Sequence, residues 1–221
     1  MNPLDTVKRS LIMFFLGLPV ILICVVFFLG FGLGNAGLLF LSAGQIIIVP
    51  LAVTLCHMVT GLLPAKYFDV TYSDIGQLVP SAPLTANGTK INVWPSYWMA
   101  HFAFFCSYIV VNAYAVYTLD PVSDSPDYTV KVNNRKSRAI VIMMFMLATF
   151  VILSGIRLAY TDSEKFLGAI FATVIFGLLG WGWCTASTTL GIRTMDIFGV
   201  AQQMVLTQDP SKPTTCVTTS A

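Results

Sequence analysis

The sequence predicts an all-α membrane protein: a bundle of about five transmembrane helices, with an ordered extramembrane loop and a C-terminal interfacial helix. Three observations predict it. Of 221 residues, 56% are hydrophobic and only 10% are charged, and the mean hydropathy is +0.79. One small soluble core cannot bury that much apolar surface. The apolar residues gather into runs that reach the ~20 residues a helix needs to cross hydrocarbon. No Asp or Glu lies in the interior of any run.

The runs fall at approximately 11–33, 37–63, 97–118, 139–160 and 166–189. The first follows the charged start "MNPLDTVKRS". It is too long for a signal-peptide core and ends without a small-residue cleavage site, so a retained helix is expected. The first two runs are joined only by "GNAG", which makes 1–63 an N-terminal transmembrane hairpin. Pro19 and Pro50 are expected to kink its helices, and Gln45 is a polar residue there that needs a partner.

Residues 64–96 carry prolines, "NG" and the short β-type runs "YFDVTY" and "KINVW", which suggest an ordered extramembrane loop. Asn87 opens the glycosylation sequon "NGT". A three-helix transmembrane region spans 97–189. Its first connection, "DPVSDSPDYTVKVNNRKSR", starts loop-like and sets Lys131, Arg135, Lys136 and Arg138 at the mouth of the fourth span. Basic residues there suit anionic headgroups, an acidic partner surface, or simple snorkelling anchorage. Arg157 is expected to reach the interface or pair with the carboxylates just beyond it. In 190–206, Ile197, Val200 and Met204 recur at helical spacing opposite Arg193, Asp196, Gln202 and Gln203, as in an interfacial amphipathic helix. The tail 207–221 is polar and proline-interrupted.

Charge excludes one class of partner. Twelve basic and ten acidic residues give a net +2 without a basic tract, so no nucleic-acid partner is implied. Basic residues divide six against six between the two sides of a five-span chain, which leaves orientation open. Cys24, Cys56, Cys106 and Cys184 lie in apolar runs and Cys216 in the tail, with no spacing that suggests zinc or a disulfide framework. No nucleophile–base arrangement or protected carboxylate pair can be argued, so an enzyme is not expected.

The polar residues of the spans raise the functional question. In the third run Tyr97, His101, Tyr108 and Asn112 fall on one helical face. His57 is set at a depth similar to that of His101. The two histidines admit a metal or haem, or with Gln45, Tyr108 and Asn112 a proton or solute path. The favoured reading is interhelical hydrogen bonding at about 0.6–2 kcal/mol per contact, with no cofactor. Gly30, Gly34, Gly177 and Gly180 are expected to permit close helix packing, with Trp181 and Trp183 filling space against the glycine face of the fifth run.

Three stretches resemble a known family: "NVWPSYWMAHFAFFCSYIVVNAYAVY", then "NNRKSRAI", then "RTMDIFGVAQQM" with a tail near "PTTCV". Together they are similar to a multi-pass virion membrane protein of large icosahedral double-stranded DNA viruses with an internal membrane, such as algal viruses and their giant relatives. The likeness runs from residue 92 to the C-terminus. It implies a structural protein beneath the capsid, contacting minor capsid proteins through loops and tail, with no active-site residues to carry over. The expectation is a scaffold bound to the lipid bilayer and to capsid or other membrane proteins through the 64–96 loop and the tail. The alternative is a small channel or transporter using the polar face.

Overall fold

The computed structural model describes residues 3–60, 95–119, 126–160, 166–190 and 197; the side chains of 3–16, 60, 126–129, 131 and 160 lie outside the description. The described chain is all-helical. Its elements are α1 (Pro3–Gly32), α2 (Ala36–Ala43), a π-helical turn (Gly44–Ile48), α3 (Val49–Thr60), α4 (Tyr97–Thr118), α5 (Pro126–Tyr160) and α6 (Phe166–Thr189). Four stretches are long and apolar enough to span a membrane: Ala36–Val59, Tyr97–Thr118, Val132–Ala159 and Phe166–Thr189. The described apolar part of α1, Gly17–Gly32, is shorter, so the expected fifth span is not counted among the described residues.

The turn after α1 follows from two residues. Gly34 adopts φ +62, which a residue without Cβ takes without strain. The Asn35 N–H reaches back to the Gly30 carbonyl at 2.8 Å and that of Gly34 to Phe31 at 3.3 Å, a Schellman closure. Asn35 then caps α2, its Oδ1 accepting from the Gly37 and Leu38 N–H groups at 3.0 and 3.2 Å. Gly34 was expected at a helix contact, but among the described residues nothing stands within 4 Å of where its Cβ would be, and its role is the turn. Gly30 does sit at the contact: a Cβ there would lie 3.0 Å from Leu38 Cβ.

The second span, expected at 37–63, runs as one helical stretch, Ala36–Val59, with a π turn ahead of Pro50. Pro50 lacks an N–H and its ring crowds the carbonyl four residues back. The chain widens just before it: the Val49 N–H bonds to Gly44 O, five residues back. α5 differs from the expected 139–160. It begins at Pro126, a residue suited to a first helical turn, and no glycine or further proline interrupts the polar stretch up to Arg138. The basic residues at 131–138 are therefore helical.

α4 is the core. Ser96 caps it, accepting from the Met99 N–H at 3.2 Å. α6 packs along one side and α5 along another, with α1, the π turn and α3 covering the rest. Gly180 lets α6 approach: a Cβ there would lie 2.5 Å from the Phe104 carbonyl oxygen. Gly177, also expected at such a contact, has open space around its Cβ position. Its carbonyl instead accepts from Ser107 Oγ at 2.7 Å. All of the 64–96 loop but Pro95 and Ser96, including Asn87, the tail 207–221 with Cys216, and Val200 and Met204 of the expected interfacial helix lie outside the described residues. Ile197 is described, and it is buried.

Candidate functional site

The π turn aims Gln45 into the bundle, where it is buried against α4. Its Nε2 donates to the His101 carbonyl at 3.2 Å. A carbonyl only accepts, which fixes the amide's orientation and leaves Oε1 facing His101 Nδ1 at 3.0 Å. Nδ1 therefore carries the hydrogen and donates, a tautomer assigned from the network. One amide thus satisfies both the ring and the backbone of a buried histidine.

Next to this pair lies an indole. Trp183 Nε1 donates to the Phe40 carbonyl at 2.8 Å, and its ring stacks on Phe40 with centroids 4.3 Å apart and planes 12° from parallel. The room for the indole comes from Gly44, where a Cβ would meet Trp183 Nε1 at 2.5 Å and Phe104 Cζ at 2.7 Å. Trp183 was expected to pack on the glycines of its own helix. It fits instead against a glycine of the π turn, so one joint ties α2, α4 and α6 together.

His57 and His101 do not bond to each other. Tyr97 lies near both, its ring centroid 6.2 Å from that of His57 and 6.1 Å from that of His101. His57 Nε2 donates to the Pro95 carbonyl at 3.2 Å. Among the described residues no group of three or more His, Cys, Asp or Glu is placed to hold a metal ion.

Further along α4 the same face meets a different helix. The Tyr108 hydroxyl donates to Ser187 Oγ at 3.2 Å, and Ser187 donates to the Cys184 carbonyl at 2.6 Å. Asn112 is buried on the same face of α4. Tyr108, Cys184 and Ser187 are buried as well. The single polar face read from spacing is thus shared between two neighbours, the π turn and α6.

The basic residues separate. Arg135 is buried, and its Nη2 donates to the Leu119 carbonyl at the end of α4, where a cation complements the helix dipole. Lys136 lies 5.5 Å from the centre of the Tyr117 ring. Arg138 is exposed, and the side chain of Lys131 lies outside the description. Arg157, expected at the interface, is 3% exposed, with its guanidinium 4.9 Å from the centre of the Trp98 ring.

Sequence reasoning did not anticipate the Asn35 contact: its Nδ2 donates to the Ile197 carbonyl at 3.1 Å, tying the segment after α6 to the first hairpin turn. Only the sequence "GNAG" hinted at a special role there. Fold and site together define a helical integral membrane protein whose buried polar side chains join one helix to another. Compared with family models, curated proteins and solved structures, the chain finds no match.

Proposed function

We propose that the chain is a non-enzymatic membrane scaffold, a multi-pass structural protein of a virion's internal membrane that links it to capsid proteins through the 64–96 loop and the C-terminal tail. The carrying observation is the way the polar side chains of α4 are used. Gln45 brackets His101, and the Tyr108 hydroxyl donates to Ser187 of α6, so these two side chains of α4 spend their hydrogen bonds on neighbouring helical elements. A conduit needs such groups along a continuous hydrated path. Support for the virion comes from the resemblance over 92–221.

The test is purification in mild detergent with chemical cross-linking. A capsid component should co-purify, and its cross-links should map to the loop or tail. Removing 207–221 should leave the monomer stable and reduce its incorporation into the larger assembly. Normal incorporation of the truncated chain removes the tail's docking role. Solute flux through reconstituted protein, lost in Asn112→Leu, would replace the scaffold with a channel.

A further inference from the structure

Three cations, Arg135, Lys136 and Arg138, stand within about one helical turn, nine to twelve residues into α5. Arg135 holds the end of α4, and its buried Nε has no acceptor among the described residues. Lys136 rests on Tyr117, and Arg138 projects outward. No ion pair joins any of the three to a described side chain. All three lie within the first seven residues of the candidate span Val132–Ala159, and because its 28 residues exceed the ~20 that cross hydrocarbon, its first turns suit the headgroup layer.

Below Arg138 the surface changes character along one stripe. Asn134, Arg138, Val141, Phe145, Ala148 and Ile152 follow one another at steps of four and three residues on one helical face, and all are exposed. The polar part ends at Arg138 and the apolar part starts at Val141, about 4.5 Å further along the axis. A ligand matching this stripe has an anion at one end and hydrocarbon at the other. An acidic protein segment in water would meet only the first turn.

We propose that the exposed face of α5 around Arg138 is a binding site for an anionic phospholipid. The Arg138 guanidinium, whose fork suits two phosphate oxygens, takes the headgroup. Lys136, nearly opposite Arg138 round the helix, adds only longer-range positive charge from the α4 side, Arg135 keeps α4 and α5 together, and an acyl chain lies along Val141, Phe145 and Ile152.

The experiment uses the full chain in nanodiscs of phosphatidylcholine with a minor fraction of phosphatidylglycerol, and native mass spectrometry to count retained lipids. Phosphatidylglycerol should be enriched over its bulk share. Arg138→Gln, a change at an exposed position, should lower its retention roughly fivefold, and Lys136→Gln should lower it less. Arg138→Lys should keep most of the charge-driven retention. Equal retention by wild type and Arg138→Gln would overturn the proposal. Equal retention of phosphatidylcholine would also overturn it, and so would a photo-cross-linker at position 138 that captures protein instead of lipid.

Discussion

Helix α4 is the least apolar of the four candidate spans and the most buried, with 67% of its apolar stretch covered; its antiparallel neighbour α5 is the most apolar and the least buried, at 17%. A soluble bundle would be ordered the other way, because water drives the most apolar helix inward. Here Val141, Met144, Phe145 and Val151 of α5 are each more than 60% exposed, while His101, Tyr108 and Asn112 of α4 are closed in. Lipid explains the inversion: hydrocarbon solvates α5 as well as a protein core would, and it cannot solvate the polar groups of α4, which therefore seek other helices.

The largest expected effect comes from treating the outside of α5 as though it faced water. Val151→Arg puts a charge on its exposed face well inside the span and should cost about 2.5–3.5 kcal/mol of membrane insertion. A glycosylation-reporter insertion assay reads this directly. If the variant inserts unchanged, or the chain becomes soluble without detergent, α5 does not face lipid.

Next comes Gly180→Ala, which breaks the inside of the comparison. Its new methyl must displace the Phe104 backbone, a change that overpacking data place at about 1–3 kcal/mol. Reversible unfolding in mixed micelles should show the loss. A neutral result would mean that α4 and α6 are further apart than the structure has them.

The Gln45–His101 pair should contribute less. A double-mutant cycle with Gln45→Leu and His101→Leu should return a coupling of about 0.6–2 kcal/mol. Each single change alone leaves a buried polar group unmatched and should cost more than the pair together. Additive single effects would show that the two residues do not meet.

How much of this could be read in the sequence depends on whether the signal is local. The expected runs 97–118 and 166–189 coincide with Tyr97–Thr118 and Phe166–Thr189, because proline, serine or charge flanks the apolar stretch and the helix stops with it. The start of α5 was hidden, since hydropathy does not register a polar helix that continues outward from a span. The π turn was hidden too: Pro50 announces a distortion, but its position depends on Trp183 filling the space at Gly44, which lies on a different helix. Helical spacing placed Tyr97, His101, Tyr108 and Asn112 on one face, yet spacing cannot say that two helices cross it. Glycine spacing has the same limit. Gly30 and Gly180 meet close neighbours, whereas Gly34 makes a turn and Gly177 offers only its carbonyl.

The smallest effect sharpens the comparison by its sign. Gly155 lies on the exposed side of α5, and nothing stands within 4 Å of where its Cβ would be. Gly155→Ala therefore adds a methyl against lipid and removes backbone freedom from the unfolded chain, worth up to about 1 kcal/mol for an alanine in a helix interior. The gain should be smaller in a membrane, where no water competes for the backbone. Unfolding in the same micelles should show a slight stabilisation, opposite in sign to Gly180→Ala. A loss of more than about 1 kcal/mol would mean that another helix already occupies this face, and α5 would then be as much an inner helix as α4.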